Sequence, residues 1–361
     1  MFFAAAIMMM GQIQSADVLK QQGFEVIEQI RKEYYLPKTK LYCEDIDAKG
    51  KQNHPAFNWG VGVMLSALNS AAKLDDKFKP WLKEYAEATR VYWNDKGPVP
   101  GYDVLPAPKP VDRYYDDNAW MVMSLVETYE VLGDSKYLDW AEQALTYVLS
   151  GWDNKLGGGI YWRESDKASK NTCSNAPSAA ACLAVAKYRR KPDLVKRARD
   201  IMAWTDQNLR DPSDGLYWDA INLDRKIGKM KWTYNTGLPI RVWTILGQNA
   251  KINSEHLEQT IESAMKKWFD PETGAAKDEG KFAHLLFEGL ETAWPRNRDA
   301  EQKIFAALNF LHQNVRNADG RYGSRWDRQT QSNEKNFMLI NQASVARAYL
   351  KAALAFGGNP E

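Results

Sequence analysis

Cysteine is scarce in this chain: Cys43, Cys173 and Cys182 are the only three in 361 residues. An odd, low count builds no disulfide framework, and no pair of them has metal-ligand spacing. Cys173 and Cys182 stand nine residues apart, too far to pair along one helix, so all three are expected as free thiols. Histidine is nearly as rare. His54, His256, His284 and His312 are scattered, with no HxxxH pair and no carboxylate partner, which argues against a zinc centre. Excess charge is missing too: the net charge is +2 and no Lys/Arg cluster forms, which disfavours nucleic acid and strongly acidic substrates. No segment approaches the roughly eighteen apolar residues of a membrane span. The longest apolar run, Phe2 to Met10, is followed by Gly11 and then Gln14-Ser15-Ala16. It has the look of the hydrophobic and cleavage regions of an export signal without the basic start. Residues 1–16 are therefore expected to be a signal peptide or its remnant, 17–361 one domain, and the protein secreted or periplasmic. Gly157-Gly158-Gly159 is followed by Ile160-Tyr161-Trp162 and not by Lys-Ser/Thr, so it is no phosphate loop. No cofactor and no metal are expected.

Tryptophan, by contrast, is abundant. Fourteen residues is roughly three times ordinary usage. A large helical core uses some of them as filler, but Trp also suits walls that are half apolar and half wet, and sugar rings, with C–H faces and hydroxyl edges, fit such walls. Apolar residues recur at three- and four-residue steps near 17–33, 57–74, 79–93, 117–132, 135–150, 175–189, 192–208, 234–248, 253–268, 282–294, 299–314 and 336–354. Short links such as Gly133-Asp134 and Lys191-Pro192 alternate with long ones that combine Asp, Gly and usually an aromatic: DNKLGGGIYW from Asp153, DPSDGLYW from Asp211, DPETGAAKDEG from Asp270 and DGRYGSRW from Asp319. These recur every 50–60 residues or so, the mark of stacked helical hairpins. Helices after long links open on polar or aromatic patches: Asn58-Trp59, Asp117-Asn118-Ala119-Trp120, Ser174-Asn175, Tyr234-Asn235-Thr236 and Asn336-Phe337. Each alone could be a helix cap. Together they point to an all-α fold, a closed (α/α)6 barrel of six hairpins, in which inner-helix starts converge on one bowl-shaped face. A monomer is expected.

The most distinctive segment is Asp112-Arg113-Tyr114-Tyr115-Asp116-Asp117-Asn118-Ala119-Trp120. Adjacent carboxylates among aromatic rings resist ionising together, so their pKa values should split. Acid/base sugar chemistry needs that split: one carboxylate stays ionised, and the other holds a proton for the leaving oxygen. Adjacent residues at a helix start can place their carboxyl groups about 5–6 Å apart, the separation of retaining enzymes. Asp219, just after Tyr217-Trp218, is the best candidate for a sugar-binding acceptor. Asp75-Asp76, among Lys73, Lys77 and Lys79, reads as a solvated face.

Four ordered motifs carry a resemblance over residues 54 to 350: Asp116-Asp117-Asn118-Ala119-Trp120, Gly158-Gly159-Ile160-Tyr161-Trp162, Lys170-Asn171-Thr172-Cys173-Ser174-Asn175 and Thr233-Tyr234-Asn235-Thr236-Gly237. They resemble those of glycoside hydrolase family 76, the (α/α)6-barrel endo-α-1,6-mannanases. The resemblance implies retaining, endo-acting hydrolysis of α-mannan, with Asp116 as nucleophile and Asp117 as general acid/base. It places Asn118, Trp120, Trp162, Asn171, Asn175, Tyr234 and Asn235 around the sugar subsites. Asn58, Tyr115, Trp218 and Asp219 complete the expected substrate contacts. One departure stands out: Phe287-Glu288-Gly289 replaces the family's usual Phe-Lys-Gly, a carboxylate for an ammonium, which leaves subsite preference, and even the linkage cut, open. Two other readings stay open: a non-catalytic glycan-binding protein, and another glycosidase on the same barrel such as an unsaturated glucuronyl hydrolase. The lack of a basic cluster for a uronate argues against the second.

Overall fold

The computed structural model describes residues 15–106, 111–247, 254–294, 297–330 and 334–357. The expected export signal, apart from its last two residues, lies outside them. Ser15, placed by the sequence at the cleavage end, caps the first helix by accepting the Val18 N–H at 3.3 Å.

Among the described residues there are twelve α-helices: α1 (Ala16–Tyr34), α2 (Asn58–Leu74), α3 (Lys79–Ala88), α4 (Tyr115–Leu132), α5 (Ser135–Ser150), α6 (Thr172–Arg189), α7 (Pro192–Leu209), α8 (Thr233–Gly247), α9 (Ser254–Trp268), α10 (Gly280–Ala293), α11 (Asp299–Phe310) and α12 (Leu339–Phe356). The even-numbered helices bury side chains on almost every face; α2 and α12 bury nearly their whole length. Helices apolar all round belong inside a fold, whereas a one-sided apolar stripe suits an outer layer. α1 has such a stripe, with Leu19, Phe24, Ile27 and Ile30 buried at helical spacing. Each inner helix packs against the next, α2 on α4, α4 on α6, α6 on α8, α8 on α10 and α10 on α12, and α12 returns to α2. The inner ring is therefore closed, as an (α/α)6 barrel requires.

Five hairpins run from an inner helix to the outer helix that follows it. The sixth is split: α1, near the start, packs chiefly on α12, near the end. A short antiparallel pairing of Asp45–Asp47 with Asn336–Met338 fastens the same seam. That pairing is why residues 336–338, read from the sequence as helix, are extended. Two other stretches are shorter than their periodicity suggests. α3 passes into a 3-10 turn at Thr89–Tyr92, and α11 into a π turn at Leu311–Val315.

One contact in the ring depends on glycine. Gly237 of α8 and Gly289 of α10 meet backbone to backbone, so a Cβ on either would overlap the other helix's main chain. The glycines that end Thr233–Gly237 and Phe287–Gly289 are thus packing requirements.

Candidate active site

Inner-helix N-termini share one end of the barrel, and a cavity of ≈ 440 Å³ opens there. The second residue of each of four inner helices lines it: Trp59, Asp116, Cys173 and Tyr234. Asp117, Trp120, Trp162, Asn171 and Asp219 join them, as the sequence led us to expect. Asp116 and Asp117 open the first turn of α4, where free backbone N–H groups and the helix dipole favour negative charge. The segment before them is held by Arg113, which is fully buried. Its guanidinium donates to Glu164 at 2.8 Å and to the carbonyls of Val99 and Lys96 at 2.9 and 3.0 Å.

The two aspartates have unequal surroundings. Asp116 accepts the Asp117 backbone N–H at 3.0 Å and the Trp162 indole N–H at 3.1 Å, and the Cys173 thiol bonds it as well. Asp117 receives no hydrogen bond from the described residues; burial first, then the charges of Asp116 and Asp112, raise its carboxyl well above the ordinary range. Burial also pushes Asp116 upward, but its donors oppose the rise. The geometry therefore favours the anion on Asp116 and the proton on Asp117. A third carboxyl, Asp219, is likewise raised by burial, opposed by the Asn235 amide, which donates to it at 3.0 Å.

Aromatic rings flank the carboxylates. Tyr234 stacks on Phe282 with centroids 4.6 Å apart, Phe282 stacks on Trp59 at 5.7 Å, and Trp232 tilts against Phe282 at 5.2 Å. Tyr114 meets Trp162 edge-on at 5.0 Å, and Trp162, 40% exposed, stands at the rim. Such faces can hold the C–H surfaces of sugar rings while the carboxylates and Asn171 meet hydroxyls. Among the described residues no group of three or more His, Cys, Asp or Glu is arranged to hold a metal ion. The three cysteines are free.

Several expected contacts fall elsewhere. Asn118, Asn175 and Asn235 are fully buried. Asn118 accepts the Tyr102 N–H and donates to the Tyr102 carbonyl, at 2.7 and 2.9 Å. Asn175 does the same to Ile160 at 2.7 and 3.0 Å. An amide side chain matches a peptide group donor for acceptor, so both residues clip the preceding loop to the helix instead of facing the bowl. Asn235 braces Asp219 from behind. Tyr115 is buried and stacks on Tyr147 at 5.0 Å. Asn58 is fully buried, its amide without a partner among the described residues. Trp218 lies outside the cavity lining, with the Lys229 ammonium 5.6 Å from its ring. Adjacent helical residues point about 100° apart, which is why Trp59 and Asp116 line the bowl while Asn58 and Tyr115 turn away; Tyr114, the extended residue before α4, also lines it. Phe57, Trp59, Val104, Tyr114, Cys173, Trp232 and Phe282 are lining residues beyond those expected from the sequence. The second-residue rule in the inner helices would have found Trp59 and Cys173.

Glu288 is not in the bowl either. It lies further along α10, with Arg347 at 2.8 Å, Arg241 at 3.1 Å and Lys351 at 3.7 Å. Three cations surround it, and no member of this cluster lines the bowl.

Residues 20–358 match the model of glycosyl hydrolase family 76. No curated protein sequence matches the chain. A family 76 α-mannanase from Bacteroides thetaiotaomicron is 29% identical with a TM-score of 0.86, covering 94% of this chain and 96% of its own. An inactive α-1,6-mannanase variant from a Salegentibacter species, with two consecutive aspartates replaced by asparagine and α-1,6-mannotriose bound, is 22% identical. Its TM-score is 0.79, over 93% of this chain and 99% of its own. Dfg5 from Chaetomium thermophilum, in complex with glucosamine, shares the fold at 13% identity and a TM-score of 0.79, over 97% of this chain and 93% of its own.

Proposed function

The chain belongs to glycosyl hydrolase family 76, and from that premise we propose that it cleaves α-1,6-mannosidic bonds within α-mannan by a retaining double displacement on Asp116 and Asp117. The observation that carries this reading is the asymmetry of the pair: donors that include the Asp117 N–H, the Trp162 indole and the Cys173 thiol favour the Asp116 anion, and Asp117 has none among the described residues. In the first step an Asp116 carboxylate oxygen attacks the anomeric carbon. The glycosidic bond breaks, and the departing oxygen takes the Asp117 proton. In the second, Asp117 removes a proton from water as the water oxygen attacks the same carbon, releasing Asp116 and restoring the proton on Asp117. The Salegentibacter relative, inactive when two consecutive aspartates become asparagine yet holding an α-1,6-linked trisaccharide, supports the pair and the linkage. Asp219, Asn171 and the Tyr234–Phe282–Trp59 wall position the sugars. The protein would act as a monomer outside the cytoplasm, where mannan is met.

The test is product profiling on debranched α-1,6-mannan, with the anomeric configuration of fresh product followed by NMR. Retained α products of several sizes are expected, and both Asp116→Asn and Asp117→Asn should lose at least ~10³-fold in kcat, consistent with the scale of nucleophilic and general-acid contributions. Release of mannose alone would overturn endo action. Inverted product would overturn the double displacement. Wild-type turnover in either variant would overturn the pair, and binding without turnover would mark a glycan-binding protein.

A further inference from the structure

The inner helices have a second end. Asp117 and Glu130 sit thirteen residues apart on α4, so that end is ~20 Å from the carboxylate pair at 1.5 Å per residue. There the C-terminal halves of α2, α4, α6, α8 and α12, with part of α7, surround a second cavity of ≈ 540 Å³. It is larger than the bowl and within the range of small-molecule sites.

Its lining differs from the bowl's in kind. Among the described residues no aromatic side chain lines it, so they offer no platform for a sugar face; Val126, Leu183, Val195 and Ile245 give it aliphatic walls. Five cations, Lys73, Lys187, Arg199, Arg241 and Lys351, face two carboxylates, Glu127 and Glu130. Those carboxylates are already engaged. Glu130 accepts from Lys73 at 2.7 Å, Lys187 at 3.0 Å and the Tyr188 hydroxyl at 2.7 Å, while Glu127 accepts from Lys351 and from the Ser66 hydroxyl. Arg241 is spent on Glu288. Arg199 has no ion pair or hydrogen bond among the described residues.

Helix ends account for part of this charge. Lysines in a last turn offset the helix dipole, and Lys73 and Lys187 are so placed. That explanation does not reach Arg199, eighth of the eighteen residues of α7, or Arg241, in the middle of α8. The surplus at this mouth is cationic, half-enclosed and backed by aliphatic surface.

We propose that this cavity is a binding site for a medium-chain aliphatic carboxylate, with Arg199 supplying the free guanidinium for the head group and Leu183, Val195 and Ile245 receiving the chain. The ligand is set by complementarity: an anion for the unpaired guanidinium, a flexible apolar body for walls that lack rings, and a size within the enclosed space.

Calorimetric titration of the intact protein with octanoate, 1-octanol and inorganic phosphate tests it directly. Octanoate should bind saturably at one site, at least ~10-fold more tightly than either the chain without charge or the charge without chain, a factor equal to one charge-assisted hydrogen bond. Arg199→Gln, on a partly exposed helix face, should weaken octanoate by a similar factor, and Ala184→Phe, which fills the space, should abolish its binding. Absence of saturable octanoate binding to the wild-type protein would overturn the proposal, as would octanol or phosphate binding equally well. Unchanged affinity in Arg199→Gln would also overturn it.

Discussion

Trp162 joins two functions in one side chain. Its ring stands at the rim of the bowl against Tyr114, and its indole N–H donates to Asp116. A donor aimed at a carboxylate favours the ionised form, so Trp162 works against the upward push of burial on Asp116. In the proposed mechanism, activity requires Asp116 ionised and Asp117 protonated. The acid limb of the pH–rate profile then reports the pair gaining its second proton, and the alkaline limb reports the loss of the remaining one. Because burial raises both groups, both limbs should lie above the ordinary carboxylate range, which begins near ~4. Trp162→Phe keeps an aromatic ring, though a smaller one, and removes the N–H donor to Asp116. Its acid limb should move to higher pH by about 0.5–1 unit, on the order of 1 kcal/mol of lost anion stabilisation, while the alkaline limb stays nearly fixed. A kcat/KM profile on α-1,6-mannan from pH 4 to 10 measures both limbs. A uniform drop with unchanged limbs would show that Trp162 only stacks on sugar.

At the scale of the element, the first turns of most inner helices divide their labour by position. The second residue lines the bowl in α2, α4, α6 and α8. The fourth clips the preceding loop in α4, α6, α8 and α12, where Asn118, Asn175, Thr236 and Gln342 bond the backbone of Tyr102, Ile160, Tyr217 and Tyr322. This pattern explains what was legible in the sequence and what was not. Helical periodicity and alternating link lengths placed the twelve helices and the repeat, because both follow from local spacing. The motifs fall on these first turns, but the sequence does not show that Asn118 and Asn175 bond the backbone of Tyr102 and Ile160. A polar residue at a helix start looks the same in sequence whether it faces a ligand or a neighbouring loop, and only the loop's path decides. Asn175→Ala separates the two roles. It would leave the buried N–H of Ile160 unpaired and its carbonyl with only the longer bond from the Ser174 hydroxyl, at 3.4 Å, costing about 1–3 kcal/mol, the usual penalty for one buried group left unsatisfied. It should also loosen the segment Ile160–Trp162 and with it the rim tryptophan. Urea unfolding should show the lost stability, and amide exchange at Ile160 should accelerate. Normal stability with weakened mannan binding would return Asn175 to the substrate.

For the whole molecule, the barrel interior between its two mouths is as informative as either mouth. Below the bowl, Glu288 is buried and meets Arg347, Arg241 and Lys351, with Glu127 and His284 alongside. These groups come from α4, α8, α10 and α12, so the cluster ties four inner helices together across the barrel axis. Burial alone would raise the Glu288 carboxyl, yet the surrounding cations hold it well below the ordinary range. A carboxyl depressed in the folded state stabilises the fold above its unfolded value, near ~4.3, and that contribution is lost as pH falls through the folded value. Replacing Glu288 with Gln removes the anion and leaves buried Arg347 and half-buried Arg241 without the carboxylate they share. The expected cost near pH 7 is about 3–5 kcal/mol, the usual penalty for breaking a buried pair from one side. The variant's stability should also fall less steeply than that of the wild-type protein as pH drops below about 4, since it lacks the titrating group. Because the cluster lies outside the bowl's lining, the folded fraction of Glu288→Gln should yield the same mannan fragments as the wild-type protein. Denaturant unfolding between pH 3 and 8, with product sizing on the same preparations, separates the two possibilities. An altered fragment pattern at wild-type stability would restore Glu288 to substrate selection, whereas lost stability with an unchanged pattern makes it a fastening of the barrel.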